Sequence, residues 1–308
     1  MARNYRLLTR GDIDGLACAA LLTEAGIIDS VVFTHADDLL SGRLAVTAQD
    51  ILTDLPYVPG CHLAFDHHGA EIERAPVVTN LVLDAASPSS SRLVFNHLGG
   101  PWVVPSRLDP LLAAADRAAV AGWTPADILE PAGWALLSLL LDPRTGVERR
   151  AGCSPEETAL FLASLIDPLR LEGLEHVLAL PDVARRAALY HRDAPAFEEL
   201  LGATARMEGQ AVLIDLRHSA HVPAGNRFLA YALFPAAVYS LRLSQTPDGR
   251  IMIACGRSIF DRRSGLDIGR RMVKLGGTGH ARSGSCLVAP EKADAVVTEL
   301  LGWLNSAP

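Results

Sequence analysis

His62-Leu63-Ala64-Phe65-Asp66-His67-His68-Gly69-Ala70-Glu71 is a short apolar run closed by an acid, two histidines and a glycine. A run of this length reads as a buried strand, and the polar residues after it as the loop at its carboxyl end. Successive side chains leave a strand on opposite faces, so adjacent imidazoles come to one side only where the chain turns. Open α/β sheets place their ligands at that edge. Taken alone, Asp-His-His is equally a solvated turn, and its neighbours have to decide.

Working outward, the same arrangement recurs. Tyr5 to Thr9 read as a strand, followed by the loop Arg10-Gly11-Asp12-Ile13-Asp14-Gly15 and a helical run from Leu16 to Ala25. Two carboxylates two residues apart suit a divalent cation held by oxygen ligands, and Gly15 lets the chain turn sharply into the helix. The competing reading is a helix cap, for which one Asp suffices. Val31 to Thr34 form a second strand, Asp50-Ile51-Leu52-Thr53-Asp54-Leu55-Pro56 a third apolar run ending in an acid, His62 to Phe65 a fourth strand and Asn80 to Leu83 a fifth. Strands alternating with helical segments predict a mostly parallel sheet covered by helices. Asp12 with Asp14, Asp54, and Asp66 with His67 then converge at one edge. Asp50 competes with Asp54 for the middle position; Asp54, which directly ends the run, is preferred. His35, Asp37 and Asp38 read as a turn.

Further along, Pro88-Ser89-Ser90-Ser91 opens a helix from Ser91 to Leu98. Pro105 to Val120 is a helix whose Ala-rich interior carries Asp116. An unpaired carboxylate there is costly, and a cation removes the cost; exposure on the outer face is the alternative. Helices are expected over 123–146, from Ser154 to Ile166, and from Leu171 to His191 with an interruption at Pro181. A polar helix from Ala194 to Gly209 reads as a connector. β-rich runs return from Gln210, at Ala237 to Leu243 and at Arg250 to Cys255, marking a second, smaller α/β domain with a mixed sheet. In it Asn226-Arg227-Phe228, Cys255-Gly256-Arg257-Ser258 and Gly276-Gly277-Thr278-Gly279-His280 place donors beside flexible backbone, where main-chain N–H groups and charged side chains can grip an anion. One of these glycines serves as a C-cap after the helix Asp267 to Leu275; the surplus is assigned to the anion.

Across the 308 residues the formal net charge is −7, which excludes a broad basic surface for long duplex nucleic acid and leaves room only for a local basic groove. Arginine outnumbers lysine, favouring forked phosphate contacts where it clusters. The five cysteines are odd in number and far apart, and read as incidental thiols. With no long apolar run and no cleavage-site pattern at the start, the expectation is a cytoplasmic protein that binds no membrane.

Taken in order, the Asp-x-Asp-Gly loop, the acid ending a middle strand, Asp66-His67-His68, Asp116 in a helix and Gly276 to His280 resemble the DHH phosphoesterase superfamily with its DHH-associated C-terminal domain, in the exopolyphosphatase-like and oligoribonuclease-like group. The resemblance runs along nearly the whole chain. It implies a DHH-type metal-binding catalytic domain over 1–190, a helical connector over 191–209 and a substrate-binding domain over 210–308. It also implies a hydrolase with one or two ions of manganese, magnesium or cobalt. Water activated by metal would split a phosphodiester or phosphoanhydride bond in a short single-stranded oligonucleotide, a nucleotide or polyphosphate held between the domains. Carried over by position, Asp12 binds the first ion, Asp14, His67 and Asp116 the second, and Asp54 bridges them. His68 contacts the phosphate and Asp66 orients the histidines. Asn226, Arg227, Arg257, Gly276, Gly277, Gly279 and His280 hold substrate.

Where many relatives carry His or Asp two residues before the first Asp of the loop, this chain has Arg10, which cannot ligate a metal. A phosphate-gripping role for Arg10 is preferred to a weakened metal site or to replacement by His35. A catalytically weakened nucleotide-binding or regulatory protein, and an inorganic pyrophosphatase, are the alternatives. The exact substrate, the native metal and homodimerisation stay open.

Overall fold

The structure, a computed structural model, describes residues 4–68, 76–261 and 265–306. The turn residues Gly69, Ala70 and Glu71 lie outside them. The chain forms two compact units, Met1–Trp123 with Glu130–Tyr190, and Thr124–Leu129 with His191–Pro308.

Among the described residues the first unit contains five strands, β1 (Tyr5–Thr9), β2 (Ile28–Phe33), β3 (Asp50–Thr53), β4 (Leu63–Asp66) and β5 (Leu81–Leu83). They form one sheet in the order β2-β1-β3-β4-β5. Every pairing is parallel, as the alternation of strands and helices requires. From β1 the chain goes out to β2 on one side and then returns to β3 on the other, so the order reverses between β1 and β3. A crevice opens at such a switch point, outside the carboxyl ends of the strands. Two threonines tie those ends together: Thr53 Oγ1 donates to Thr9 Oγ1 at 2.7 Å, and Thr9 Oγ1 donates to the Thr53 carbonyl at 3.2 Å.

Helix α1 (Ile13–Glu24) is buried continuously from Ile13 to Leu22, which its Ala- and Leu-rich sequence allows on every face. It packs against α3 (Ser90–His97) and α4 (Asp109–Ala119), while the short α2 (Ala36–Leu40) follows β2. On the other side of the sheet Leu8, Leu39, Leu52, Leu55, Cys61 and Ala64 form a core layer. Gly15 lies inside α1 and not in a sharp turn. It is glycine because a Cβ there would fall 1.9 Å from the Arg10 carbonyl oxygen. The helix expected over 123–146 is broken into Pro125–Leu129 and Gly133–Leu141, since Pro131 has no N–H to give and Gly133 takes φ +55°. Pro181 opens a helix instead of interrupting one: Pro181–Thr204 is continuous, with Pro195 inside it, and Ala205–Glu208 is already strand, so there is no separate polar helix from Ala194 to Gly209.

Among the described residues the second unit is built on six strands, β6 (Ala205–Glu208), β7 (Ala211–Asp215), β8 (Tyr239–Gln245), β9 (Ile251–Arg257), β10 (Thr278–His280) and β11 (Ser283–Val288). Their order is β10-β11-β9-β8-β7-β6, antiparallel except for the parallel pair β7 and β8. Strands β8 and β9 alternate buried and half-exposed residues, and their buried face packs with the helices Ile268–Lys274 and Pro290–Asn305. Tyr239, Leu241, Ile253, Ile268, Met272 and Leu300 are at the centre of that core. Among the described residues no helix is long and apolar enough to cross a membrane.

Candidate metal centre

Three strand ends deliver the polar residues of the first unit. Asp66 is the last residue of β4, only 2% exposed, and its Oδ1 accepts from the His68 backbone N–H at 3.0 Å and lies 2.7 Å from His68 Nδ1. Asp66 therefore fixes the His68 ring and its tautomer. Asp54 follows β3 with φ +56°, a left-handed conformation that Asp tolerates better than most residues. Its Oδ1 lies 3.5 Å from His67 Nε2 and 3.7 Å from His68 Nδ1. Ligand atoms of Asp54, His67 and His68 all fall within 4.8 Å of one another, the one such cluster among the described residues.

The loop after β1 brings Arg10 to the same place. Its Nη2 is 3.4 Å from Asp12 Oδ2 and its Nε 3.5 Å from Asp54 Oδ2. The other Asp12 oxygen caps α1, accepting from the Gly15 N–H at 3.2 Å, so the capping reading holds for Asp12. Asp14 is buried at the start of α1, and its two oxygens accept from the Ser90 and Ser91 backbone N–H groups at 2.9 Å each. Those amides open α3, where the helix amino terminus favours a negative charge. Asp116 does not join the imidazoles. Arg92 donates to its Oδ2 through Nε at 3.1 Å and through Nη2, and Ser89 Oγ donates to its Oδ1 at 2.5 Å. Arg92 and Ser89 thus offset the cost of that half-buried carboxylate. Asp50 is tied to Arg6 at 2.6 Å and to Thr47, away from the cluster. Ser89, Ser91 and Arg92 were not singled out from the sequence; the run Pro88-Ser89-Ser90-Ser91 announces a helix start but not which acid it will hold.

The charges respond to this crowding. Burial lifts Asp12 despite Arg10 beside it, and burial with Asp54 nearby lifts Asp14 to about 6. Burial also acts to raise Asp54, but His67, Arg10 and His68 outweigh it and hold that carboxyl below the ordinary range. Burial disfavours the charged imidazoles; Asp54 overcomes it at His67, and Asp66 and Asp54 push His68 up to about 9. Asp12, Asp14, Asp54 and Asp66, crowded together, call for positive charge.

Asp54 Oδ1 also tests whether these residues fit a metal. It is buried and accepts no hydrogen bond, which is costly for a carboxylate oxygen unless a cation compensates it. One carboxylate oxygen and two imidazoles are a donor set that suits a divalent metal ion.

In the second unit the expected anion contacts are largely engaged elsewhere. Asn226 is buried, with Oδ1 accepting from the Phe228 N–H at 3.0 Å, and Arg227 lies 3.9 Å above the Phe228 ring. Arg257 points its fork at the Leu266 carbonyl, through Nε at 3.0 Å and through Nη2. Gly276, at φ +76°, follows the C-cap Leu275 of the helix Ile268–Lys274 and turns the chain out of it. The surplus glycines have a packing reason: a Cβ on Gly277 would be 2.1 Å from the Ser285 carbonyl oxygen, and one on Gly279 2.5 Å from Gly284 Cα. Thr278–His280 is an edge strand and not an open turn. His280 is exposed, with Nε2 3.0 Å from Ser283 Oγ.

A scan against protein-family models gives no match, and a search of curated proteins gives none either. Solved structures do match. The pGpG-specific phosphodiesterase PggH from Vibrio cholerae is 37% identical with a TM-score of 0.83, over 99% of this chain and 100% of that one. RecJ from Thermus thermophilus, in complex with Mn2+, is 16% identical with a TM-score of 0.60, over 98% of this chain and 52% of RecJ, and shows the fold alone. A DHH domain from a member of the s1p family of ribosomal proteins, at 13% identity and a TM-score of 0.54, likewise shows the fold. The parallel sheet, the site at its switch point and identity along the whole chain place this protein in the DHH phosphoesterase superfamily, as a hydrolase of phosphoester bonds.

Proposed function

We propose that the chain is a metal-dependent phosphodiesterase of short oligonucleotides, with a linear dinucleotide such as pGpG as the first substrate to test. The observation that carries this reading is the buried Asp54 Oδ1, without a hydrogen bond and flanked by His67 and His68 at the carboxyl edge of the sheet. The whole-chain likeness to a pGpG-specific phosphodiesterase supports the substrate class. Asp54, His67 and His68 would hold the cation, manganese, magnesium or cobalt. A bound divalent ion supplies Lewis-acid stabilisation of the phosphate and lowers the pKa of water.

The remaining steps belong to the chain's own groups. In hydrolysis, water adds to phosphorus, the bond to the leaving nucleoside oxygen breaks, and that oxygen acquires a proton. Asp66 holds the His68 ring by Nδ1, which leaves Nε2 as the nitrogen that ring would offer the cation. Arg10 places a second, permanent positive charge at the same edge, where it offsets charge building on the phosphate oxygens. In the second unit, Arg227 and the exposed His280 are the candidate anion contacts. Asn226, Arg257, Gly276, Gly277 and Gly279 serve the fold of that unit.

The test is a substrate panel of pGpG, other dinucleotides, cyclic dinucleotides, adenosine bisphosphate, polyphosphate and pyrophosphate, each with manganese, magnesium and cobalt. Dinucleotides should be split to mononucleotides, and Asp54→Asn or His67→Ala should abolish the reaction. Tight nucleotide binding without hydrolysis under any metal would favour the alternative that Arg10 raises, a nucleotide-binding protein with a weakened centre.

A further inference from the structure

We infer that this chain holds a single divalent cation, on Asp54, His67 and His68, and that the Arg10 guanidinium stands where a second ion would sit beside Asp12 and Asp54. The inference deepens the metal-dependent reading above and rests on it.

The argument follows the carboxylate oxygens one by one. Asp12 gives Oδ1 to the Gly15 N–H and turns Oδ2 to Arg10. Asp14 gives both oxygens to the backbone amides of Ser90 and Ser91. Asp116 gives one to Ser89 and the other to Arg92. Asp54 turns Oδ2 to Arg10. Asp54 Oδ1 is left, in a residue only 5% exposed, with two imidazoles near it. An ion on Asp14 or Asp116 would have to share oxygens already bound to amides or to a guanidinium. Asp54 Oδ1 needs no such rearrangement.

The position of Arg10 points the same way: it pairs with Asp12 and Asp54, and a second ion beside those two carboxylates would lie against a guanidinium that cannot lose its proton. Arg10 can leave only by uncovering two carboxylates that it now pairs.

The test uses the full chain, freed of metal by chelation and titrated with manganese chloride alone. Calorimetry and elemental analysis after gel filtration should give one manganese per chain, and the electron paramagnetic resonance spectrum should be that of an isolated ion. Arg10→His, which removes the guanidinium and offers a ligand nitrogen, should raise the stoichiometry to two, with the broadened spectrum of an exchange-coupled pair. Asp54→Asn should bind none. Two ions on the unaltered chain with a coupled spectrum, or no ion at all, would overturn the inference, and that measurement needs no variant to fold. A folded Arg10→His protein that still takes one ion would overturn the role given to Arg10. Two ions together with dinucleotide hydrolysis would sink this inference and leave the proposed activity standing; one ion and no hydrolysis would do the reverse.

Discussion

Replacing Asp66 by asparagine keeps the shape of the side chain and removes only its charge. In the metal-free protein His68 is pushed from its ordinary value of 6.5 to about 9, against burial, by Asp66 at 2.7 Å and by Asp54 at 3.7 Å. At about 1.4 kcal/mol for each tenfold change in a proton affinity, that elevation corresponds to roughly 3 kcal/mol favouring the folded, protonated form. Because 31% of the side chain meets solvent, screening reduces this to about 1–2 kcal/mol. The sign follows from the raised value: the contribution is complete below pH 6.5 and fades as pH rises through about 9. Asp66→Asn should therefore lower metal-free stability by about 1–2 kcal/mol at pH 6, by less at pH 10, and draw the His68 titration back toward 6.5. Urea unfolding at the two pH values and an NMR titration of the His68 ring measure both quantities. With metal and dinucleotide present, kcat/KM should fall about 10- to 100-fold, the usual cost of losing a group that orients a ligand ring. A His68 titration unmoved in the folded variant would refute the reasoning, because no other described carboxylate lies within hydrogen-bond distance of that ring.

Three further outcomes are expected. Gly279→Ala should destabilise the second unit by about 1–3 kcal/mol, since its Cβ has no room between Gly284 and Gly269; a denaturation midpoint equal to that of the unaltered chain would contradict the packing assignment. Gly15→Ala, whose Cβ would meet the Arg10 carbonyl oxygen at 1.9 Å, should displace the Arg10 loop and lower kcat/KM while α1 still forms by circular dichroism. Asp50, which Arg6 and Thr47 hold below its ordinary 3.8 in spite of burial, stabilises the fold at neutral pH and loses that contribution as pH falls below 3.8. Asp50→Asn should accordingly cost about 2–3 kcal/mol at pH 7 with manganese binding unchanged, and progressively less as pH falls below 3.8; loss of manganese binding instead would place Asp50 in the metal centre.

Much of this was legible along the chain because it is local. Short apolar runs that end in acids mark buried strands whose loops carry chemistry, and Tyr5 to Thr9 and the runs before Asp54 and Asp66 became β1, β3 and β4 of a parallel sheet. Asp-His-His announces itself by residue type. The breaks at Pro131 and Gly133 and the start at Pro181 are not legible in the sequence, because proline reads as a helix breaker and only the surrounding packing decides whether it opens a helix or ends one.

What the sequence by itself determined is the class of fold and the kinds of group at its active edge, since strand period and residue chemistry depend on neighbours a few positions away. Which acid faces which partner was decided by the tertiary structure alone. The strand order β2-β1-β3-β4-β5 sets Arg10 against Asp54 from 44 residues further on, and the amino end of α3 against Asp14 from 76 residues back. It also turns Asp116 to Arg92 and Gly277 and Gly279 to neighbouring backbone. A carboxylate looks the same in sequence whether it will meet an amide, a guanidinium or an ion; the difference lies in which groups the fold brings within about 3 Å of it.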